Sequence, residues 1–136
     1  MTSNTNILKQ PLRKSKVEEG IQKFKLLELT PKYGVRWYED PNANVVDVKL
    51  ESENGAIIRQ RDLFSLSFSS NLGKLIRAVL GMSEDELIYE VDPNEVIGKE
   101  VLGEVIYWEN SRGDIYEKVK NFKSMDNNQL SDKAIV

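Results

Sequence analysis

The fold is decided by residues 44–63, which read NVVDVKLESENGAIIRQRDL. In the first half, Val46, Val48 and Leu50 alternate with polar residues, which is the period of a strand that buries one face. Asn54-Gly55 is the strongest short signal for a hairpin turn, and the β-rich run AIIRQRDLFSLSF follows it. The pattern therefore predicts two antiparallel neighbouring strands. The residues expected on the outer face of the first are Val45, Asp47 and Lys49.

Upstream of this hairpin, the run IQKFKLLEL predicts another strand, which ends before Pro31. Phe24 and Leu26 would share one face of it, with Glu28 as a further candidate for that face, and Leu27 and Leu29 would take the other. The next residues, TPKYGVRWYEDPNAN, are rich in Pro, Gly and Asn. They are interpreted either as a long loop or as a strand broken by a bulge.

Downstream, residues 72–80 repeat apolar side chains at helical spacing and predict a helix. Ser69 or Ser70 would cap its N-terminus, and Gly81 would end it. Two further strands, KEVLGEVIYWE and DIYEKVKNF, are joined by NSRG, in which Gly113 suits a left-handed turn position. The predicted order is strand, strand, strand, helix, strand, strand. That connectivity predicts an all-β OB-fold, a five-stranded Greek-key barrel with one main α-helix between strands 3 and 4.

The pair Gly73-Lys74 raises the question of phosphate binding. A phosphate-cradling loop needs the pattern G-x-x-x-x-G-K-[ST], whose backbone N–H groups wrap the phosphates. Here Leu75 follows the lysine and Phe68 stands where the first glycine belongs, so the pattern fails twice. The glycine is interpreted as a packing residue that lets the helix approach the barrel closely. Weak anion affinity at the helix N-terminus is the alternative.

Composition disfavours most enzymes. The chain has 136 residues, enough for one domain with a hydrophobic core, and it contains no cysteine and no histidine. Thiol nucleophiles, zinc fingers and the commonest general base are therefore excluded, and we expect no catalytic residue, no cofactor and no bound metal. The acidic run SEDELIYEVDPNE is interpreted as a solvated turn, although recruitment of a basic partner remains open.

Charge is distributed unevenly along the chain. Residues 1–16 contain four cations and no acid, so with a net charge of −3 overall the remainder carries −7. We expect a disordered basic arm over residues 1–17, a folded domain over residues 18–123 and a disordered C-terminal tail over residues 124–136. No apolar run approaches the about 20 residues that span a bilayer, so we expect a cytoplasmic protein without a membrane partner.

Aromatic and basic residues occur together in three places, the combination that grips single-stranded nucleic acid. The first place is the run KYGVRWY, and the second is the predicted hairpin of residues 44–63, with Lys49, Arg59 and Arg61. The third is the last hairpin, where Tyr116, Lys118, Lys120 and Phe122 would alternate onto one side. Burial of the aromatic rings in the core is the competing interpretation. The candidate nucleic-acid-binding residues are Lys32, Tyr33, Arg36, Trp37, Tyr38, Lys49, Arg59, Arg61, Trp108, Arg112, Lys118 and Lys120.

Residues 19–122 resemble a family of small OB-fold proteins encoded in replication and recombination regions of tailed bacteriophages and prophages. The likeness is carried by RDLFSLSFSSNLGKLIRAVLG, by the acidic turn SEDEL and by VDPNEVIGKEVLGEVIYWENSRGDIYEKVKNF. The family is regarded as similar to single-stranded-DNA-binding proteins. Its motif contains no diagnostic stacking residue, and the C-terminal residues of this chain lack the acidic tail of bacterial single-strand-binding proteins.

The function expected is single-stranded DNA binding without base specificity, in support of phage or prophage DNA replication or recombination. The bases would stack on Tyr33, Trp37 and Trp108, while arginines and lysines track the phosphates. Replication or recombination proteins are further candidate partners, and a homo-oligomer is left open. The alternative is a protein-interaction module, such as a phage inhibitor or adaptor of a host enzyme, which the −7 body favours.

Overall fold

The structure is a computed structural model, and it describes residues 17–125. These residues are mostly β, with one α-helix between the third and fourth strands, as predicted. The predicted arm and tail lie outside the described residues, apart from Val17 at the inner end of the arm and Ser124 and Met125 at the start of the tail. The elements are β1 (Gly20–Trp37), β2 (Asp40–Ser52), β3 (Ile57–Leu63), α1 (Asn71–Leu80), β4 (Glu100–Glu109) and β5 (Ile115–Lys123), with a 3-10 turn at Pro93–Glu95.

The five strands form one antiparallel sheet in the order β3-β2-β1-β4-β5. The long central strand β1 pairs with both neighbours, so that Phe24 and Lys25 lie between β2 on one side and β4 on the other. The predicted hairpin of β2 and β3 is confirmed, and Gly55 at its turn has a φ of 87°. Its register sets the site described below, because it fixes which charged residues of the two strands lie opposite each other.

The residues TPKYGVRWYEDPNAN belong largely to strands and do not form a long loop. β1 continues through them to Trp37, with irregular pairing between Lys32 and Val35 and again between Val35 and Trp37. Gly34 has a φ of 65° at the first irregularity, a conformation that glycine adopts without a steric cost. The interpretation as a bulged strand is therefore confirmed, and the interpretation as a loop is wrong.

The core lies between the inner face of the sheet and α1. Phe24, Leu26 and Leu50 from the sheet and Leu75 from the helix are at most 1 % exposed. The predicted helix is confirmed: the Ser70 side chain caps its N-terminus, and Gly81 ends it with a left-handed φ of 69°. Val17 is only 6 % exposed and packs in the same core cluster.

Val45 is buried, although the alternation of β2 predicts it on the outer face with Asp47 and Lys49. It is fully inaccessible yet does not belong to the main core cluster. Val45 pairs with Lys32 of β1 and Leu63 of β3, so neighbouring strands flank it on both sides. The prediction for this residue is wrong because alternation assigns a face but not what covers that face.

Gly73 packs closely, as predicted, but against a different neighbour. A Cβ atom at this position would lie 2.1 Å from the carbonyl oxygen of Ser67, in the loop that precedes α1. The close approach is therefore between the helix and its own N-terminal loop and not between the helix and the sheet. This contact, together with the Ser70 cap, accounts for the glycine without any phosphate.

The edge strands β3 and β5 are joined by the side chain of Gln60. Its Nε2 donates to the carbonyl oxygen of Val119 at 2.9 Å, and its Oε1 accepts from the N–H of Val119 at 2.8 Å. A neighbouring strand would make the same two kinds of bond. Beside it, the buried carboxylate of Asp62 accepts hydrogen bonds from Lys118 Nζ at 2.7 Å and from Asn71 Nδ2 at 3.2 Å.

Phe122 does not share a face with Tyr116, Lys118 and Lys120, contrary to the sequence prediction. It is 5 % exposed and belongs to the core, because Asn121 adopts a φ of 52° that interrupts the alternation of β5. Within residues 17–125, no helix is both long enough and apolar enough to cross a membrane.

Candidate nucleic-acid interface

A shallow groove of about 460 Å³ runs across the outer faces of β1, β2 and β3. The hairpin register places Lys49 opposite Arg59 and Asp47 opposite Arg61, so cations from two strands meet on one face. Lys32 of β1 lines the same groove. The structure therefore brings four of the predicted residues together, and we call this surface the cationic groove.

Two carboxylates lie among these cations. Asp47 accepts two hydrogen bonds from the guanidinium of Arg61, at 2.7 and 3.1 Å, and its Oδ2 lies 3.3 Å from Lys32 Nζ. Lys49 Nζ lies 3.1 Å from Glu28 Oε2. Arg59 is exposed and forms no ion pair with any carboxylate of residues 17–125. With four cations against two carboxylates, the groove keeps a net charge of +2.

These neighbours lower the pKa of the Asp47 carboxyl group. The hydrogen bonds from Arg61 are the largest cause, and they lower the pKa of Asp47 below its ordinary value, with a further contribution from Lys32. The same pairing raises the pKa of the Arg61 guanidinium. The pair is therefore charged across the neutral range, and the carboxylate holds the guanidinium against β2.

The lowered pKa of Asp47 predicts a pH-dependent contribution to stability. A depressed carboxyl pKa adds stability above the ordinary Asp value of about 4, and that stability is lost as the pH falls through the folded-state value. Because both side chains are 34 % exposed, we expect Asp47→Asn to reduce the free energy of unfolding by less than about 1 kcal/mol at neutral pH. In urea unfolding, the difference from the native chain should shrink as the pH is lowered below 4. The exposed Glu39→Gln is the control, and a difference that stays constant with pH would contradict the assignment.

Trp108 and Tyr116 form a stacked aromatic pair on β4 and β5. Their ring centroids are 4.8 Å apart with planes tilted by 25°, and the two residues are cross-strand partners. Trp108 is 47 % exposed. The adjacent Tyr107 is anchored, since its hydroxyl donates to the carbonyl oxygen of Val17 at 2.6 Å. Neither of these two neighbouring rings is buried in the core.

Lys118 of β5 contacts β3 beside the cationic groove. It lies on the same side of β5 as Tyr116, and its Nζ lies 3.4 Å from the carbonyl oxygen of Arg61. The amine is bonded to the buried carboxylate of Asp62, so Lys118 joins β5 to β3 while its side chain stays 30 % exposed. Lys120 is exposed two residues further along the same side of β5.

The remaining predicted residues lie at the two hairpin ends. In the hairpin between β1 and β2, the rings of Trp37 and Tyr38 contact each other edge to face, with centroids 4.7 Å apart. Trp37 is half-buried, and Tyr38 and Arg36 are exposed. In the hairpin between β4 and β5, Arg112 is 79 % exposed and lies 3.6 Å from Asp114.

Tyr33 is separated from the cations because it points to the opposite face of the sheet from Lys32. Its ring is 65 % exposed and lies 6.1 Å from that of Phe64. The two rings line a second groove together with Leu29 and Leu72, which we call the apolar groove. The structure therefore divides the KYGVRWY cluster among two faces and a hairpin end.

Sequence reasoning missed Glu28 and Asp47 as members of the site. The signal was present, because the Asn54-Gly55 turn fixes the register of β2 and β3 and so places Asp47 opposite Arg61. It also missed Tyr116 as the ring that stacks on Trp108, although the two residues lie equally far from the turn between β4 and β5.

No metal site is formed by acidic side chains in the part of the chain that the structure describes, residues 17–125. No protein-family model matches the chain, and a search of curated proteins likewise finds no match. The geometry of the two hairpins is therefore the main evidence on function.

Proposed function

We propose that the domain is an OB-fold barrel that binds single-stranded DNA without base specificity. The strand order β3-β2-β1-β4-β5, the helix between β3 and β4 and the Gln60 link between the two edge strands support the barrel. In OB-folds, the outer face of strands 2 and 3 and the loops that flank it bind oligonucleotides. The cationic groove lies on the outer face of β2 and β3, and Lys32 of β1 lines it as well.

The observation that carries the proposal is the cluster of cations on the outer face of β1, β2 and β3, together with the half-exposed ring of Trp108 on β4. Lys49 and Arg59 are paired across two strands, Arg61 follows on the same face, and Lys118, two residues after Tyr116 of the stacked pair, lies 3.4 Å from the Arg61 carbonyl oxygen. Phosphates of a single strand would lie along the cations while a base stacks on Trp108. Each such stack contributes about 1–3 kcal/mol, and it accepts any base because every base has a π face.

Glu28 and Asp47 would weaken binding without preventing it. Each carboxylate is already paired with a cation that a phosphate would contact. A phosphate must therefore displace Asp47 from Arg61 and Glu28 from Lys49. Arg59 carries no such competitor among residues 17–125. We therefore assign it the first phosphate contact.

The test is a titration of the full chain with oligo-dT, followed by tryptophan fluorescence at low and high salt. We expect quenching, and we expect log K to fall with log salt at a slope of about −0.7 per phosphate contact, or about −2 to −3 for three to four contacts. Oligonucleotides of other base composition should bind within a few-fold of oligo-dT. Absence of quenching at micromolar protein in low salt would contradict the proposal.

Trp108 should supply a large part of the binding signal. Trp108→Ala removes the half-exposed ring and should weaken oligo-dT binding about tenfold, the effect of one lost base stack. Tyr89→Ala is the matched control, because this exposed aromatic residue lies on the apolar groove. Equal affinities of the two variants would remove Trp108 from the interface.

The acid-rich surroundings of the apolar groove favour the second candidate, a protein-interaction module. This candidate predicts that a basic protein partner binds the chain and that oligonucleotides do not. If the domain instead binds single-stranded DNA, the protein partners expected are replication or recombination proteins of a phage or prophage. The oligo-dT titration and a binding assay with a basic protein together distinguish the two candidates.

A further inference from the structure

The apolar groove lies on the opposite face of β1 and β2 from the cationic groove. Leu29 and Val46 line the apolar groove, whereas their strand neighbours Glu28 and Asp47 line the cationic groove. The apolar groove has a volume of about 300 Å³ and is closed on its other sides by α1, by the loop after β3 and by residues 89–93. Both grooves can therefore be occupied at the same time.

Large aromatic side chains are exposed around the apolar groove. Tyr89 is 85 % exposed, Tyr33 65 % and Phe64 41 %. An apolar surface of this kind on a soluble domain is typical of an interaction site. The volume corresponds to the small end of ligand pockets and suits a few aliphatic side chains better than a whole domain.

The charged residue that lines the apolar groove is negative and belongs to an acidic run. Residues 83–95 contain six carboxylates and no lysine or arginine, and Glu90 lines the groove itself. Within residues 17–125, none of the six forms an ion pair. A segment that fits this surface should therefore combine aliphatic side chains with positive charge.

The chain carries such a segment outside the described residues. Residues 6–16 read NILKQPLRKSK, with four cations, no acid and three aliphatic side chains at Ile7, Leu8 and Leu12. We propose that the apolar groove binds this basic arm from a second copy of the chain. The aliphatic residues enter the groove, and the cations pair with the carboxylates of residues 83–95.

The length of chain favours a second copy over the same chain. Val17 is held at the N-terminal end of β1, where its carbonyl accepts from Tyr107. Ile7 lies ten residues before it, which spans at most about 36 Å. Leu29 lies twelve residues after Val17 on the other side, and twelve residues of strand span up to about 40 Å. To reach the groove, the arm of the same chain would have to fold back along this whole length of strand. The arm of a neighbouring copy does not have to do so.

The proposal does not depend on nucleic-acid binding. It predicts self-association that weakens with salt, because the arm and the acidic run attract each other through exposed charges. If the domain also binds single-stranded DNA, the arm would link copies that lie side by side on one strand. Failure of either proposal leaves the other unaffected, since the two grooves are separate.

The test uses a mixture of two forms of the full chain. One carries a nitroxide spin label at Gln10→Cys, an arm position that is not among the three aliphatic residues and is a unique site because the chain has no cysteine, and the other is isotope-labelled and carries no spin label. We expect broadening of the amide signals of Tyr33, Phe64 and Tyr89 in the isotope-labelled chain. Tyr89→Ser combined with Glu90→Lys in that chain should remove the broadening and raise the dissociation constant of self-association about tenfold.

The matched control is Tyr38→Ser combined with Glu39→Lys, the same pair of changes at the exposed end of the first hairpin. It should leave the broadening intact. No broadening in the mixture would overturn the proposal, as would broadening confined to the cationic groove. Broadening seen only when both labels are on one chain would equally overturn it, because the arm would then bind its own domain.

Discussion

Gln60→Leu should reduce the free energy of unfolding by about 3–5 kcal/mol. The leucine keeps the approximate volume of the side chain but leaves the N–H and carbonyl of Val119 without the partners that Gln60 provides. A buried backbone group that loses its hydrogen bond costs about 1–3 kcal/mol, and two are lost here. Asp62 also loses the Gln60 Nε2 donor at 3.2 Å. Urea unfolding of the two chains measures the difference.

Gln22→Leu is the matched control for this prediction. Its Nε2 donates to the carbonyl oxygen of Glu18 at 3.3 Å in an exposed position, where water can replace the bond. We expect a change within about 0.5 kcal/mol. If Gln60→Leu is equally mild, the link between β3 and β5 does not stabilise the fold, and the closure of the proposed barrel loses its support.

Lys49→Ala combined with Arg59→Ala should weaken oligo-dT binding about 100-fold at low salt. Two charge-assisted contacts to phosphate are lost, each contributing about 1.5 kcal/mol. Loss of the lysine also leaves Glu28 unpaired in the groove, where it repels the phosphates. The slope of log K against log salt should become shallower by about 1.4, which is two contacts at about 0.7 each.

The charge-matched control for this pair is Lys25→Ala combined with Lys99→Ala. Both lysines are exposed and line a different surface, next to the C-terminal end of α1. The net charge of the chain changes by the same amount, so a general electrostatic effect would weaken binding equally in the two variants. Equal losses would contradict a binding site in the cationic groove.

The order of strands and helix along the chain was predictable from local signals. The Asn54-Gly55 turn, the apolar spacing of α1 and the left-handed Gly113 each depend on residues within a few positions of one another, which a sequence displays directly. The pairing of Lys49 with Arg59 followed from the same turn. The sequence therefore grouped Lys49, Arg59 and Arg61 on one face but did not place Lys32, Glu28 or Asp47 beside them.

The rest depended on contacts between residues distant in sequence. Gln60 and Val119 are 59 positions apart, and no periodicity indicates that a glutamine side chain replaces a ladder of backbone bonds. The predicted position of Phe122 failed for a local reason, since Asn121 beside it has a positive φ that interrupts the alternation of β5. Irregular positions of this kind change which face a side chain occupies.

The most direct test of the interface is a map of amide chemical shifts in the full chain as oligo-dT is added. We predict shifts at Lys49, Arg59 and Arg61 and at the indole N–H of Trp108, with little change at Lys25 and Lys99. Shifts confined to the apolar groove, or none at saturating oligonucleotide, would contradict binding of single-stranded DNA by the outer face of β2 and β3.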